Sequence, residues 1–360
     1  MKKILIIITT GFDSCGGLTT VAMNYIRNID RSNLSIEFCS DNSPDKKLLN
    51  ELQKNNIKYH QLSSRKKNTI MYYLNLVNLI KRNMYDVIHV HGNSSTMIIE
   101  LFAAKVCKVK KRIAQVHSSQ TSHPILNKML YLPFKFCYTD AIAVSKQAGD
   151  WLFGRDNYTV LNNAIYLNKY KYDEKGRSKI RKKYKIADDE VVIGNVGKLN
   201  GGKNHKFLLQ IYKEYLIYNP SSKLIIVGGG TLKNELKNIA QKEKIESKVI
   251  FADMQTNVEE YLSAMDCFVF TSIYEGLGMA LIEAQASGLY CISSDRVPIE
   301  TSVTSNIQYL KLNNNIKAWA NAILNCPKIN RDDINILNEI TENGFDIKVE
   351  ANKLVKLYLE

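Results

Sequence analysis

Short apolar runs rich in β-branched residues alternate with amphipathic helical patterns along almost the whole chain. Residues 4–8 are five consecutive Ile or Leu, an unbroken run of the kind that forms a strand buried on both faces. With that strand near 3–8, others are predicted near 34–39, 57–61, 86–91, 112–117, 140–144 and 158–161. Helices near 17–28, 44–55, 68–83, 95–106, 125–137 and 146–153 separate them. Residues 67–82 follow a 3.6-residue period, with Met71, Leu74 and Val77 on one stripe. Strands alternating with helices in this way build βαβ units and parallel sheets.

From about 165 to 188 the chain turns polar and charged, which makes this stretch the best domain junction. The apolar pattern restarts at Val191-Val192-Ile193-Gly194-Asn195-Val196-Gly197, a buried strand running into a glycine turn. Further strands are predicted near 223–227, 248–251, 267–270 and 290–293, each trailed by a helical segment such as 231–242. Residues 332–360 read as helices without strands. The fold class is therefore α/β: two doubly wound, Rossmann-like domains at 1–165 and 166–335, with a helical tail at 336–360. In such sheets ligands sit beyond the carboxyl ends of the strands, so the strand-to-helix loops carry the chemistry.

Composition agrees and narrows the class. At 360 residues the chain exceeds one compact core of ~100–200 residues. Its 45% apolar and 23% charged residues are globular averages, which excludes wholesale disorder. Lys2-Lys3 before the five-residue apolar run mimics an export signal, but the run falls short of the ~7–15 residues such a segment needs. No stretch approaches the ~18 apolar residues of a membrane span. Seven scattered Cys without a C-x-x-C pair point to reduced thiols in a cytosolic chain, with neither a disulfide framework nor a zinc site. The net charge of +14 is uneven: residues 1–165 hold 22 Lys and Arg against 11 Asp and Glu, the remainder 27 against 24. A basic first half suits an anionic partner, unless the bias simply reflects a Lys-rich proteome.

Four loops have the right composition to meet a ligand. Gly16-Gly17 precedes the first helix, where backbone amides and the helix dipole favour phosphate. Lys198 and Lys203 flank the glycine turn after the strand at 191–196, and cations there can neutralise a diphosphate. Gly228-Gly229-Gly230-Thr231 lies between a strand and a helix start, with Gly229 and Thr231 as candidate backbone contacts to a nucleotide. The fourth runs from Phe270 through Glu275-Gly276-Leu277-Gly278 to a helix starting near Met279, with Glu283 one turn in. A carboxylate flanked by Leu281, Ile282, Ala284 and Ala286 needs a partner or a ligand. Among the histidines, His89 and His91 end one apolar strand and His117 another. The H-x-H pair has no carboxylate at metal spacing, and no Asp-x-Asp occurs anywhere in the chain.

Taken together, these motifs resemble the retaining GT-B glycosyltransferases of family 4. The Glu-x7-Glu pair Glu275 and Glu283, the segments Gly197-Lys198-Leu199 and Lys203-Asn204-His205, and the strand Asp266–Ser272 occur in that family's order and spacing. Gly16-Gly17 with residues 23–30, and the tail around Gly344-Phe345-Asp346-Ile347, are similar to its polysaccharide-assembly branch. The resemblance implies two domains facing a cleft, a tail helix packing back on the first domain, and transfer of a sugar with retained anomeric configuration. It implies that Glu283 grips the ribose hydroxyls, and that Glu275 with the amides of Gly276, Leu277, Gly278 and Met279 holds the sugar and its phosphates. Lys198 and Lys203 would stabilise the leaving diphosphate, Gly16 and Gly17 would close over it, and His117 would orient donor or acceptor. Lys198 stands where the family usually has Arg, so a forked contact becomes a point charge.

The expected donor is a nucleotide diphosphate sugar, a UDP-sugar first, with neither cofactor nor metal. The expected acceptor is a glycan, most naturally a lipid-linked oligosaccharide of capsule, exopolysaccharide or another surface polymer. Such an enzyme would be a cytoplasmic hexosyltransferase peripheral to the inner face of the membrane, drawn to an anionic surface through the basic segments 65–82 and 105–112. The rival readings are a nucleotide-sugar transferase with a small acceptor, a catalytically silent assembly partner, and a basic nucleic-acid-binding α/β protein. The last lacks zinc spacing or an RNA-type aromatic motif and leaves Glu-x7-Glu unexplained, so no nucleic-acid partner is expected.

Overall fold

A computed structural model describes every residue except Cys15, Arg155 and Asn314. The chain divides into two compact units, residues 1–165 with 344–360, and residues 166–343. The first unit alternates strands and helices: β1 (Lys2–Ile8), α1 (Gly17–Asn28), β2 (Leu34–Ser40), α2 (Lys46–Lys54), β3 (Lys58–Gln61), α3 (Thr69–Asn83) and β4 (Val87–Gly92). It continues with α4 (Ile98–Val106), β5 (Lys111–Val116), α5 (Pro124–Lys135), β6 (Asp140–Ala143), α6 (Lys146–Phe153) and β7 (Thr159–Val160). All seven strands are parallel, in the order β3-β2-β1-β4-β5-β6-β7. Because side chains alternate across a strand, Ile4, Ile6 and Ile8 pack with α1 and α2, while Leu5 and Ile7 pack with α3, α4 and α6. Both faces of β1 are thus covered, which is why its sequence is apolar without alternation.

The second unit repeats the plan with α7 (Leu167–Tyr170), α8 (Glu174–Lys183), β8 (Val191–Val196), α9 (His205–Tyr218), β9 (Ser222–Val227), α10 (Lys233–Lys242) and β10 (Val249–Phe251). Then follow α11 (Val258–Ala264), β11 (Cys267–Phe270), α12 (Met279–Ala286), β12 (Tyr290–Ser294), β13 (Ile307–Leu310), α13 (Ile316–Leu324) and α14 (Ile334–Glu342). Its six strands are also parallel, in the order β10-β9-β8-β11-β12-β13. The chain closes with α15 (Ile347–Leu359) in the first unit, packed on α1.

Two expectations are corrected, while the units meet in sequence at Ile165 and Tyr166, at the start of the charged stretch 165–188. The rest of that stretch folds into the second unit: Ile180 of α8 is buried, and Arg181 donates to the carbonyls of Ala187 and Glu190 at 2.5 and 2.6 Å. The tail rejoins the first unit at Gly344 rather than 336, because α14 packs on α12 and Asn343 donates to the Val303 carbonyl at 3.2 Å. From Gly344 onward, Ile165 and Asp346 form a parallel bridge, and Tyr358 of α15 hydrogen-bonds His89 Nδ1 at 2.7 Å. Finally, the short edge strand β13 was absent from the sequence pattern. Among the described residues no helix is long and apolar enough to cross a membrane.

Candidate active site

In each sheet the strand order reverses once, between β1 and β4 and between β8 and β11. Connections leave such a pair in opposite directions, opening a crevice at the strands' carboxyl ends. In the second unit the two loops at this point are 197–204, after β8, and 271–278, after β11. They are bound to each other: the Ile273 amide donates to the Gly202 carbonyl at 2.8 Å, and Thr271 Oγ1 to the carbonyls of Lys203 and Asn204 at 3.2 and 3.1 Å. Beneath them, Asn195 Nδ2 donates to the Val269 carbonyl at 2.8 Å, and His205 Nε2 meets Asn195 Oδ1 at 2.9 Å. Burial, helped by the nearby Lys203 charge, pushes His205 down to about 4, so it sits there neutral.

Lys203 ends a short 3-10 turn, Gly201–Lys203, capped by the Asn200 side chain. Its ammonium lies 2.5 Å from Glu275 Oε1 and 5.0 Å from the centre of the Phe270 ring. The two side chains are only 21% and 9% exposed, so the pair is poorly screened by solvent. Lys198 is placed differently: it is exposed, and its ammonium has no ion pair among the described residues. Of the two lysines, the fold brings one onto Glu275, the first glutamate of the Glu-x7-Glu pair, and leaves the other on the surface of the loop.

Gly278 caps α12 at φ +89°, a left-handed backbone suited to glycine, and no side chain caps the helix start. The first-turn amides from Met279 therefore end the helix open, beside Gly276, where an added Cβ would meet nothing within 4 Å. One turn along, Glu283 Oε1 accepts a hydrogen bond from Tyr170 at 2.9 Å. Burial pushes the Glu283 carboxyl up to about 7, against the Tyr170 hydrogen bond and the charge of Lys169, which pull it down. Gly229 accepts from the Leu199 amide at 2.9 Å, tying its loop to the lysine loop, and Thr231 is exposed in the turn before α10.

Gly16, Gly17 and His117 belong to the first unit. Gly16 caps α1 without a side-chain hydrogen bond, and a Cβ on Gly17 would meet nothing within 4 Å. His117 follows β5, its Nε2 2.9 Å from His91 Nδ1, and the His91 ring lies 4.3 Å from that of His89. Burial pushes His117 and His89 each down to about 3 and lowers His91 as well. At neutral pH all three rings are uncharged, each with one N–H to give and one nitrogen to accept. Among the described residues no group of three or more His, Cys, Asp or Glu is arranged to hold a metal ion.

Two partners escaped the sequence reading. Tyr170 lies in the charged stretch before β8, with nothing to mark it as the partner of Glu283. His91 was visible at a strand end, but its pairing with His117 depends on β4 and β5 being neighbours, which sequence order alone does not give.

Residues 176–344 match the family model described as Glycosyl transferases group 1, and residues 14–146 the model described as Glycosyl transferase 4-like. The chain is 27% identical over 358 residues to the Bacillus subtilis (strain 168) protein named as a glycosyltransferase, EpsF, covering 95% of this chain and 93% of that one. It is 28% identical over 308 residues to the Escherichia coli UDP-Gal:alpha-D-GlcNAc-diphosphoundecaprenol alpha-1,3-galactosyltransferase, covering 80% and 78%. Among solved structures, Anabaena HepE in complex with UDP superposes with a TM-score of 0.79 at 16% identity, over 99% of both chains. That likeness shows the fold, two parallel-sheet Rossmann-like domains of GT-B type. With a glycosyltransferase model matching in each unit, the chain belongs to the group 1, 4-like glycosyltransferases.

Proposed function

We propose that the chain transfers a hexosyl group, with retention and without a metal ion, from a UDP-sugar to a lipid-linked glycan acceptor in surface polysaccharide assembly. The carrying observation is the Lys203–Glu275 pair at the strand switch, on the same loop system as the open start of α12 and Glu283. Glu283 accepts hydrogen bonds from the ribose hydroxyls, and Glu275 with the amides of Gly276, Leu277, Gly278 and Met279 holds the sugar and phosphates. As the bond from the anomeric carbon to the diphosphate oxygen breaks, Lys203 stabilises the charge that develops on the leaving group. The acceptor hydroxyl bonds the anomeric carbon on the face the diphosphate leaves, and its proton passes to a departing phosphate oxygen. Lys198 adds a screened charge; in the first unit, the Gly17 amide at the start of α1 suits an anion and neutral His117 suits a hydroxyl.

The UDP donor and the undecaprenol-linked acceptor in the name of the E. coli relative, and the UDP bound in HepE, support the choice of substrates. An acceptor of this kind is anchored at a membrane, which gives the basic first unit an anionic surface to meet. Absence of Asp-x-Asp and the cation already present at the switch support transfer without a metal or other cofactor. Transfer is expected to continue in excess chelator, and NMR of the product is expected to show the donor's anomeric configuration. An inverted product removes this mechanism.

Glu283 also predicts a pH dependence. Its carboxyl titrates at about 7, and the ionised form is the better acceptor for two hydroxyls. Binding must therefore release a proton below that pH. Affinity for UDP-glucose, which has no group of its own titrating near 6, is expected to fall as pH drops below about 7, approaching tenfold per unit. Calorimetric titrations from pH 5.5 to 8.5 check this. Glu283→Gln should flatten the profile, and Glu283→Ala should weaken binding by ~1–3 kcal/mol at pH 8.

A further inference from the structure

Helix α5 is inside out for a helix that faces water. Ile125, Met129, Leu132 and Phe136, one stripe at helical spacing running just past its end, are each between 66% and 77% exposed. Its fixed side instead relies on the buried Phe134 and on Asn127, which accepts from the Ser95 amide and hydroxyl at 2.7 and 2.6 Å. The stripe runs into an open groove of about 650 Å³ between α3, α4 and α5, walled by Ile70, Tyr73, Phe102 and Phe136. Apolar surface of this extent calls for a covering partner.

Charge identifies the partner. Helices α3, α4 and α5 carry a single carboxylate between them, Glu100, which is fully buried and bound to Arg65 at 2.7 Å. Apart from Asp86, which follows α3 and accepts from the Lys3 amide at 2.7 Å, their exposed surface and flanking loops carry cations, among them Lys66, Lys67, Lys105 and Lys128. Within the basic run 105–112, Arg112 is committed to the carbonyls of Cys137 and Val109, while Lys105, Lys108 and Lys110 stay exposed. A second copy of this face would bring cations against cations. An anionic bilayer offers both the negative headgroups and the acyl region beneath them.

We propose that the α3–α4–α5 face docks on an anionic lipid bilayer, with the α5 stripe dipping below the headgroups and the lysines pairing with them. The proposal rests on the proposed function only for its purpose, delivery of the enzyme to a lipid-linked acceptor. Cosedimentation of the full chain with vesicles containing 30 mol% phosphatidylglycerol tests it, with phosphatidylcholine vesicles as the reference. The wild type should bind the anionic vesicles at least tenfold more tightly, less so in high salt. Met129→Ser/Leu132→Ser/Phe136→Ser should lose tenfold or more at unchanged charge, as should Lys66→Gln/Lys67→Gln/Lys128→Gln. A Met129→Trp reporter should be quenched by brominated lipid beyond the wild-type background. Any of three results overturns the proposal: wild-type binding in the serine variant, no added quenching, or a wild-type dimer that the serine variant abolishes without vesicle binding in either. UDP affinity measured on the same preparations is expected to stay unchanged. Its loss from the wild type would remove the proposed function while leaving the vesicle result to stand by itself.

Discussion

Lys203→Ala should lower turnover with a nucleotide-sugar donor by about 10²-fold or more, while donor affinity changes much less. That factor is about 2.7 kcal/mol, the size expected of one fixed charge acting on a developing anion where water is scarce. Lys203 meets both conditions: it is held by its own turn and by the second loop, and it is 21% exposed. Lys198→Ala should cost much less, because an exposed ammonium without an ion pair acts through solvent. Lys203→Ala also leaves the Glu275 carboxylate, 9% exposed, without its cation, so thermal midpoints must accompany the kinetics. Lys203→Arg keeps the charge and should recover most of the stability but only part of the rate. Single-turnover rates with UDP titrations separate the two effects. If Lys203→Ala turns over at the wild-type rate and Lys198→Ala does not, the diphosphate belongs to the exposed lysine.

The strands of both sheets were legible because burial on two faces leaves no polar position to confuse the pattern, as in residues 4–8. β13 was not, since Ile307-Gln308-Tyr309-Leu310 is a four-residue edge strand with an exposed Gln308. At the site, spacing exposed Glu275 and Glu283 but not their contacts. That Lys203 and Glu275 touch follows from β8 and β11 being neighbours, a fact of sheet order with no local signature. Tyr170 reaches Glu283 across 113 residues from a segment that reads as a charged joint. Helix α5 shows the converse limit. A 3.6-residue apolar period says that one side is apolar, but not that this side points inward, and here it points to solvent.

Gly228→Ala should destabilise the second unit by about 3 kcal/mol or more, the sum of a backbone clash and a strained dihedral. Gly228 has φ +145°, and a Cβ built on it would stand 2.0 Å from the Gly197 carbonyl oxygen. The obstacle is backbone, so no rotamer change relieves it. The loops after β8 and β9 would have to part by more than an ångström. Yet they are joined on either side of that point, by the Gly197 amide to Val227 at 3.0 Å and the Leu199 amide to Gly229 at 2.9 Å. Relief therefore costs hydrogen bonds as well as packing. For a unit of this size the loss corresponds to a fall of roughly 6–12 °C in its thermal midpoint. Because the displaced loop carries Lys203, UDP binding should weaken in the same variant even below the melting range. Gly201→Ala is the control: it lies on the same loop, a Cβ there meets nothing within 4 Å, and both midpoint and affinity should stay near wild type. A Gly228→Ala protein that melts and binds like the wild type would mean that the two loops separate freely, and that the lysine loop owes its position to the Glu275 side of the site alone.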